Sequence, residues 1–332
     1  MMDKPTLIHN VLSYFEIKRD PVSDEGDGRS TFSQISEQVV QSVYEHLSLV
    51  DLEHPIIEGE SKKVFASSKL ASRKIALVEL KPTLYSFTHN RYGSVEGTDL
   101  VRMDFWNLFG TWLNTYSCNN YFFPQTSSGD NLTDHLLPNV PFLSNFLGRV
   151  DYQDRKFAVI NFFDHLPPIE VIWKQYLVGT MKHNLKGVNL ARTRYGGPIE
   201  YEGKFPKDFI RFDWRNSLPD KDECIPEGFA DFYIDTNNAR IVALAASRAL
   251  NTFLGCRGYE LVDLCYFMSE GGNQICSEVT PDGMRIRKNG NSFDKDLWRR
   301  GKDGDTLLRT WRELYQDLST INLEEVIRDV PA

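Results

Sequence analysis

The sequence predicts an α+β protein of two lobes: a small antiparallel β-rich lobe, then a larger mixed lobe, preceded by a helical extension. Three observations carry this reading. Short β-type runs recur along the chain, as in KKVFASS, KIALVEL, FAVINFF, IEVIWKQYL and YELVDLCYFMS. Longer stretches with helical spacing stand among them, the longest within ARIVALAASRALNTFLG. No segment repeats. The divisions fall at residues 1–55 for the extension, 56–165 for the small lobe and 166–332 for the larger one.

In the extension, RDPVSDEGDGRST is polar, acidic and glycine-bearing, and reads as a loop. FSQISEQVVQSVYEHLSLV then sets Phe32, Ile35, Val39, Val43, Leu47 and Val50 at helical spacing. That predicts an amphipathic helix packed on the body or on a second subunit, and a homo-oligomer is expected. KKVFASS and KIALVEL predict two strands separated by a turn near Lys69 to Arg73. KPTLYSFTHNRYGSVEGTD reads as a long irregular loop, of a length usually tied to function. A helix is expected over Asp104 to Tyr116, and FAVINFF and IEVIWKQYL read as buried strands. The long helix that follows carries Ala243, Ala246, Leu250 and Leu254 on one apolar stripe, with Gly255 near its end. YELVDLCYFMS and NQICSEV predict a hairpin closed by Glu270-Gly271-Gly272-Asn273. DTLLRTWRELYQDL predicts a C-terminal helix.

The bulk numbers exclude several classes. At 332 residues, 41% hydrophobic and 25% charged, the chain has the composition of a globular protein able to bury a core. A net charge of -8 with scattered basic residues argues against a general nucleic-acid or anionic-membrane binder, while leaving room for a local phosphate pocket. The best apolar stretch, IVALAASRALNTFLG, is interrupted by Arg248, and MMDKPTLIHN has no apolar core, so neither a membrane span nor a secretory signal is expected. Cys118, Cys224, Cys256, Cys265 and Cys276 are dispersed and lack CxxC spacing, which suggests reduced thiols in a cytoplasm and no zinc site.

Three stretches carry candidate chemistry. EGESKKVF brings Gly59 and Lys62 to the start of a strand, where backbone and an ammonium can approach a phosphate; a solvated charged turn fits equally ordinary rules. In IEVIWKQYLVGTMKHNLKG, Lys174 ends a buried strand, and Gly179-Thr180 opens a helix whose free N–H groups suit phosphate; Thr180 as a simple cap is the alternative. In ELVDLCYFMSEGGNQICSEVTPDGMRI, Asp263 lies inside an apolar strand and needs a partner. Glu278 and Asp282 flank a turn beside Arg285, which is suited to a two-pronged grip on phosphate or carboxylate. A structural ion pair supporting the turn is the competing reading. His89, His135, His165 and His183 stand alone and suggest no nucleophile–histidine–acid arrangement.

The order of these stretches resembles the SAICAR synthetase family, the phosphoribosylaminoimidazole-succinocarboxamide synthases. That family has segments of the types EGKAKKVY, VEVVVRNxxxGS, VDxKxEFG and DExxTPDxSR; here stand EGESKKVF, IEVIWKQYLVGT, LVDLCYF and SEVTPDGMR, in order from about residue 56 to 320. TPDGMR after the VD strand is the most specific element. The resemblance implies ATP and magnesium between two lobes, activating the carboxylate of an imidazole ribonucleotide for attack by aspartate. Carried over residue by residue, it implies a ribonucleotide-holding set of Lys174, Gly179, Thr180, Arg215 and Arg285, with Asp282 in place.

The same resemblance shows departures on the ATP side. Gly59 and Lys62 remain, but Glu60 stands where a lysine is expected, Cys265 replaces a lysine, Phe267 a metal-binding glutamate and Ser277 an acid. Phenylalanine cannot ligate magnesium, which requires oxygen donors. The pattern implies an enzyme acting on a purine- or imidazole-type ribonucleoside phosphate with its ATP–magnesium machinery eroded, as in routes to pentostatin- or coformycin-type nucleoside antibiotics. Asp263, Glu278 and Asp282 are then the acid/base candidates. An ATP-dependent carboxylate–amine ligase and a non-catalytic nucleotide-binding partner are the alternative readings.

Overall fold

The computed structural model describes residues 32–72, 74–86, 91–119, 143–179, 181–182, 185, 187–217, 220–323 and 326. Two antiparallel sheets divide the chain. The first has strand order β1-β2-β3-β7-β6, formed by β1 (Ile57–Glu58), β2 (Lys62–Phe65), β3 (Ile75–Leu80), β6 (Phe146–Tyr152) and β7 (Arg155–Asn161). The second has order β10-β9-β8-β11-β12-β13, formed by β8 (Ile169–Tyr176), β9 (Lys204–Trp214), β10 (Glu223–Cys224), β11 (Glu260–Tyr266), β12 (Met284–Lys288) and β13 (Asn291–Ser292). The boundary between the sheets falls between Asn161 and Ile169.

Each sheet buries one face under helices. Helix α1 (Phe32–Tyr44) turns Phe32, Val39 and Val43 into the small lobe's core, and a 3-10 turn at Leu47–Leu49 adds Leu47. The docking is close: a Cβ on Gly148 of β6 would stand 2.5 Å from Val40 Cγ2. The helical part of the extension is thus built into the small lobe's core. Helix α3 (Thr98–Asn119), longer than the sequence predicts, serves both cores. Met103 and Trp106 pack with the small lobe, while Phe105, Phe109 and Trp112 pack with the large one. Gly110 lets that helix approach the first sheet, since a Cβ there would meet the Phe146 ring at 2.7 Å. Helix α5 (Thr236–Gly255) is capped by Asp235, which accepts from the Asn238 N–H, and buries Ala243, Ala246, Leu250 and Leu254 as expected. Helix α7 (Gly304–Ser319) is capped by Asp303 and buries Leu307, Trp311, Leu314 and Leu318.

Three local expectations are corrected. The stretch from Lys69 holds a short helix, α2 (Ser68–Ser72), rather than a turn alone. The supposed loop after Lys81 contains a two-stranded ribbon, β4 (Thr83–Ser86) with β5 (Arg91–Ser94), whose cross-strand pairing directs Tyr85 opposite Tyr92. The expected hairpin of YELVDLCYFMS with NQICSEV forms only at its tip, where the Ser269 N–H donates to the Gln274 carbonyl at 3.0 Å and the Cys276 N–H to the Phe267 carbonyl at 2.8 Å, around Glu270-Gly271-Gly272-Asn273. Strand β11 pairs instead with β8 and β12, and NQICSEV contributes isolated bridges at Ile275 to Met268 and Ser144. The physical reason lies in the acids and bases. Pairing with β12 sets Asp263 directly across from Arg285, and pairing with β8 sets it across from Lys174, so its charge is answered from both sides.

Candidate functional site

Between the sheets lies a cleft of about 660 Å³. Its walls come from the β1–β2 turn, the β4–β5 ribbon, the inner faces of β8, β9 and β11, and the segment from Ser277 to Arg285, with Lys295 and Arg299 at one end. Lys62, Lys174, Gly179, Arg215, Asp263, Glu278, Asp282 and Arg285, all candidates from sequence, line it together. Gly59 does not line it. Gly59 lies in the exposed β1–β2 turn, where its N–H donates to the Lys62 carbonyl at 2.9 Å. Thr180 falls outside the described residues, as does His183; the adjacent Met181 and Lys182 are helical.

Alternation on β8 and β11 brings one charged corner together. Asp263 Oδ2 accepts from Lys174 Nζ at 2.6 Å and from Arg285 NH1 at 2.7 Å, and Lys174 also donates to the Val178 carbonyl at 3.3 Å. Burial disfavours the Asp263 charge, but Arg285 and Lys174 outweigh it and hold the carboxyl below the usual range. Arg285 Nε donates to Asp296 Oδ2 at 3.0 Å, so its guanidinium is clamped from two sides. The remaining edge lies against Gly179, where a Cβ would stand 3.2 Å from NH1 and 3.3 Å from NH2. Gly179 also has φ +68, a conformation that strains any residue with a side chain. Two constraints thus require glycine at this one position.

The segment after Ser277 is held differently. Glu278 Oε2 accepts from Arg102 Nε at 3.1 Å, Oε1 accepts from Arg102 NH2, and Arg102 NH1 donates to the Lys81 carbonyl at 3.0 Å. Arg102 is fully buried on α3. Asp282 Oδ2 accepts from Lys295 Nζ at 2.8 Å, while its Oδ1 is buried with no hydrogen bond. Burial opposes ionisation of Asp282, yet Lys295 and Arg102 hold it below the ordinary range. Lys62 stands nearby, and burial pushes its ammonium below the usual lysine range while Glu278 opposes that shift.

A third cluster occupies the β9 side. Arg215 NH1 donates to Glu170 Oε1 at 2.9 Å and to Asp222 Oδ2 at 3.0 Å. Burial, then Asp222, pushes the Glu170 carboxyl upward, partly offset by Arg215 and a hydrogen bond with Cys265. Burial and Glu170 push the Cys265 thiol well up.

Magnesium needs near-octahedral oxygen ligation. Both oxygens of Glu278 are engaged by Arg102, while Asp263 and Asp282 pair with Lys174, Arg285 and Lys295 through Oδ2. Among the described residues no group of three or more His, Cys, Asp or Glu is placed to hold a metal. Asp282 Oδ1, buried with no hydrogen bond, is one oxygen on this wall left to accept a donor or a cation. For a triphosphate, Lys62 offers one cation beside Glu278, with Glu60 also on the wall.

Sequence reasoning missed Arg102, Lys295, Asp296 and Glu170. Arg102 had a readable signal: a charge inside the apolar run LVRMDFW demands a buried partner, by the same logic that singled out Asp263. Glu170 was legible as a polar position in IEVIWK, but only the fold places it beside Cys265 and Arg215.

Comparison with known proteins gives a consistent result. A family model described as SAICAR synthetase matches residues 56–328. The bifunctional cordycepin biosynthesis cluster protein 3 of Cordyceps militaris is 23% identical over 328 residues, covering 82% of this chain and 34% of that protein. The phosphoribosylaminoimidazole-succinocarboxamide synthase of Thermotoga petrophila is 36% identical over 83 residues, 24% of this chain and 35% of that protein. The chain spans about a third of the length of the curated relatives it matches. Among solved structures, SAICAR synthase from Saccharomyces cerevisiae complexed with SAICAR aligns with TM-score 0.57 and 14% identity, over 82% of this chain and 97% of that one. A SAICAR synthetase in complex with ADP aligns with TM-score 0.56 and 17% identity, over 80% of this chain and 98% of that one. At these identities the likeness speaks for the fold. No described helix is long and apolar enough to cross a membrane.

Proposed function

This chain belongs to the SAICAR synthetase family, and from that premise we propose an enzyme of specialised nucleoside metabolism that acts on a purine- or imidazole-type ribonucleoside phosphate without a magnesium–ATP centre of the usual kind. The observation that carries this reading is the corner of Lys174, Asp263 and Arg285 around Gly179. Lys174 and Arg285 converge there on one oxygen of Asp263 and both line the cleft, which places two donors within reach of a phosphate, and Gly179 opens the space against the guanidinium. Arg215 supplies a second cationic group for a polar substituent of the substrate. The likeness to a cordycepin cluster protein supports specialised rather than primary metabolism.

Within this reading the acids divide by role. Asp263 and Asp282 are held ionised by their cations, so they orient Lys174, Arg285 and Lys295 rather than exchange protons. Glu170 is the better proton-transfer group, since its carboxyl is shifted upward and lines the cleft. Glu278 secures Arg102 and the loop that carries Asp282.

Isothermal titration with a purine nucleoside monophosphate, with and without magnesium, tests the proposal. Binding that is unaffected by chelator, with no ADP released from magnesium–ATP, an imidazole carboxylate ribonucleotide and aspartate, is the expected outcome. Brisk magnesium-dependent ADP release would instead establish the ligase reading.

A further inference from the structure

Most of the cleft wall is charged, yet a heterocycle needs flat apolar surface on which to leave water. Two places offer it. On the ribbon, β4 and β5 set Tyr85 and Tyr92 across from one another with ring centroids 6.1 Å apart, and both line the cleft. Tyr92 is 60% exposed, although it sits on a braced element. The neighbouring Arg91 donates to the carbonyls of Trp298 and Lys302 and lies 4.2 Å over the Trp298 ring. At the other end of the ribbon, Thr83 Oγ1 donates to the Glu60 carbonyl at 2.5 Å, and Val95 N–H donates to the Pro82 carbonyl at 2.8 Å. The exposed ring is therefore presented by a fixed wall.

Phe267 provides the second surface. It follows β11, lines the same cleft and is half-buried. Its backbone is fixed at both groups, the N–H donating to Ser277 Oγ at 3.1 Å and the carbonyl accepting from Cys276 N–H at 2.8 Å. Neither ring is needed to complete the large-lobe or small-lobe core. We propose that Phe267 and Tyr92 form an aromatic subsite that stacks the heterocycle of the bound ribonucleotide, with its phosphate directed to Lys174 and Arg285. This rests on the ribonucleotide reading above and adds to it how the base is recognised. Stacking accepts any flat ring, so the subsite selects for a heterocycle without reading its edge.

The test separates base from phosphate. Inosine 5′-monophosphate and ribose 5-phosphate are titrated calorimetrically into the wild type, Tyr92→Ala, Tyr92→Phe and Phe267→Leu. The wild type is expected to bind the nucleotide more tightly than the sugar phosphate. Tyr92→Ala and Phe267→Leu are expected to weaken the nucleotide about tenfold and leave ribose 5-phosphate within about twofold, while Tyr92→Phe keeps the wild-type value. Exposure of Tyr92 makes its variants safe for folding, and thermal melts check Phe267→Leu. Equal losses for both ligands, or unchanged nucleotide affinity in both truncations, overturn the subsite. A wild type that binds ribose 5-phosphate as tightly as the nucleotide overturns the subsite alone. A wild type that binds neither overturns the ribonucleotide reading and the subsite with it.

Discussion

The two ends of the cleft treat their acids in opposite ways. At the β8–β11–β12 corner, Lys174 and Arg285 converge on Asp263, and Arg285 and Arg299 also share Asp296. Lys174 and Arg285 also line the cleft there, so both cations stand on its wall. At the other end Glu278 meets the buried Arg102 guanidinium in two-pronged fashion, with Lys62 beside it and Thr280 Oγ1 donating to Oε2 at 3.3 Å. The difference teaches that one cleft can hold its acids either as shared supports or as two-pronged pairs. A shared carboxylate sets two cations on the cleft wall, whereas a two-pronged pair occupies both oxygens of its acid.

Breaking the two-pronged pair should give the largest effect. Arg102→Met strands the Glu278 carboxylate and the Lys81 carbonyl in a buried place, and is expected to cost about 3–5 kcal/mol of stability in denaturant unfolding. Adding Glu278→Leu should recover most of the loss, because the uncompensated charge then disappears with its partner. A small cost for Arg102→Met alone would mean that Glu278 is free to take another cation, and the contrast between the two ends would collapse.

Asp263→Asn should act less strongly on stability but with a revealing sign. An expected loss of about 2–3 kcal/mol follows from leaving two cations on a neutral acceptor. Phosphate-bearing ligands should nonetheless bind at least as tightly, since the competing carboxylate charge is gone. The pH dependence sharpens this. The folded Asp263 carboxyl lies below its ordinary value of 3.8, held there by Arg285 and Lys174 against the cost of burial. Its contribution is therefore present above about pH 4 and is lost as pH falls through the lowered value. Acid unfolding followed by circular dichroism should be shallower in Asp263→Asn; an identical profile would remove Asp263 from the account.

The corner was more legible in the sequence than the two-pronged pair, for a physical reason. Asp263, Lys174 and Arg285 lie on strands whose apolar neighbours make each charge conspicuous, and β11 pairs with β12 so that Arg285 stands across from Asp263. The pairing of Glu278 with Arg102 spans 176 residues and depends on α3 crossing between the two cores. No local pattern encodes that crossing. The ribbon was missed because RYGS carries too little apolar alternation to read as a strand; its order comes from Arg91 and Gly93 packing on Trp298, a contact made only after the C-terminal helices are in place. The mistaken hairpin partner shows the converse limit. NQICSEV and MRIRK both have the texture of a strand; MRIRK pairs with Glu260–Leu264, whereas Gln274–Cys276 pairs only with Phe267–Ser269 beyond the end of β11.

The smallest effect concerns Glu170, which belongs to neither end and can tell whether the β9 side faces the same ligand. Burial and Asp222 raise its carboxyl above the ordinary value of 4.5, with Arg215 and Cys265 opposing. A raised carboxyl contributes stability that is full below its unfolded value and lost as pH rises through the folded one, the reverse of Asp263. Arg215 is itself partly exposed and stays paired, so the expected change in stability is below about 1 kcal/mol. Ligand affinity is the sharper readout. As pH rises through the raised value, a new negative charge appears on the cleft wall, and the affinity for a nucleoside monophosphate should fall about two- to threefold at low salt. Glu170→Gln should flatten that slope while leaving affinity on the acid side of it, where Glu170 is protonated, unchanged. A slope that persists in Glu170→Gln would assign the titration to another group and place Arg215 outside the ligand's reach.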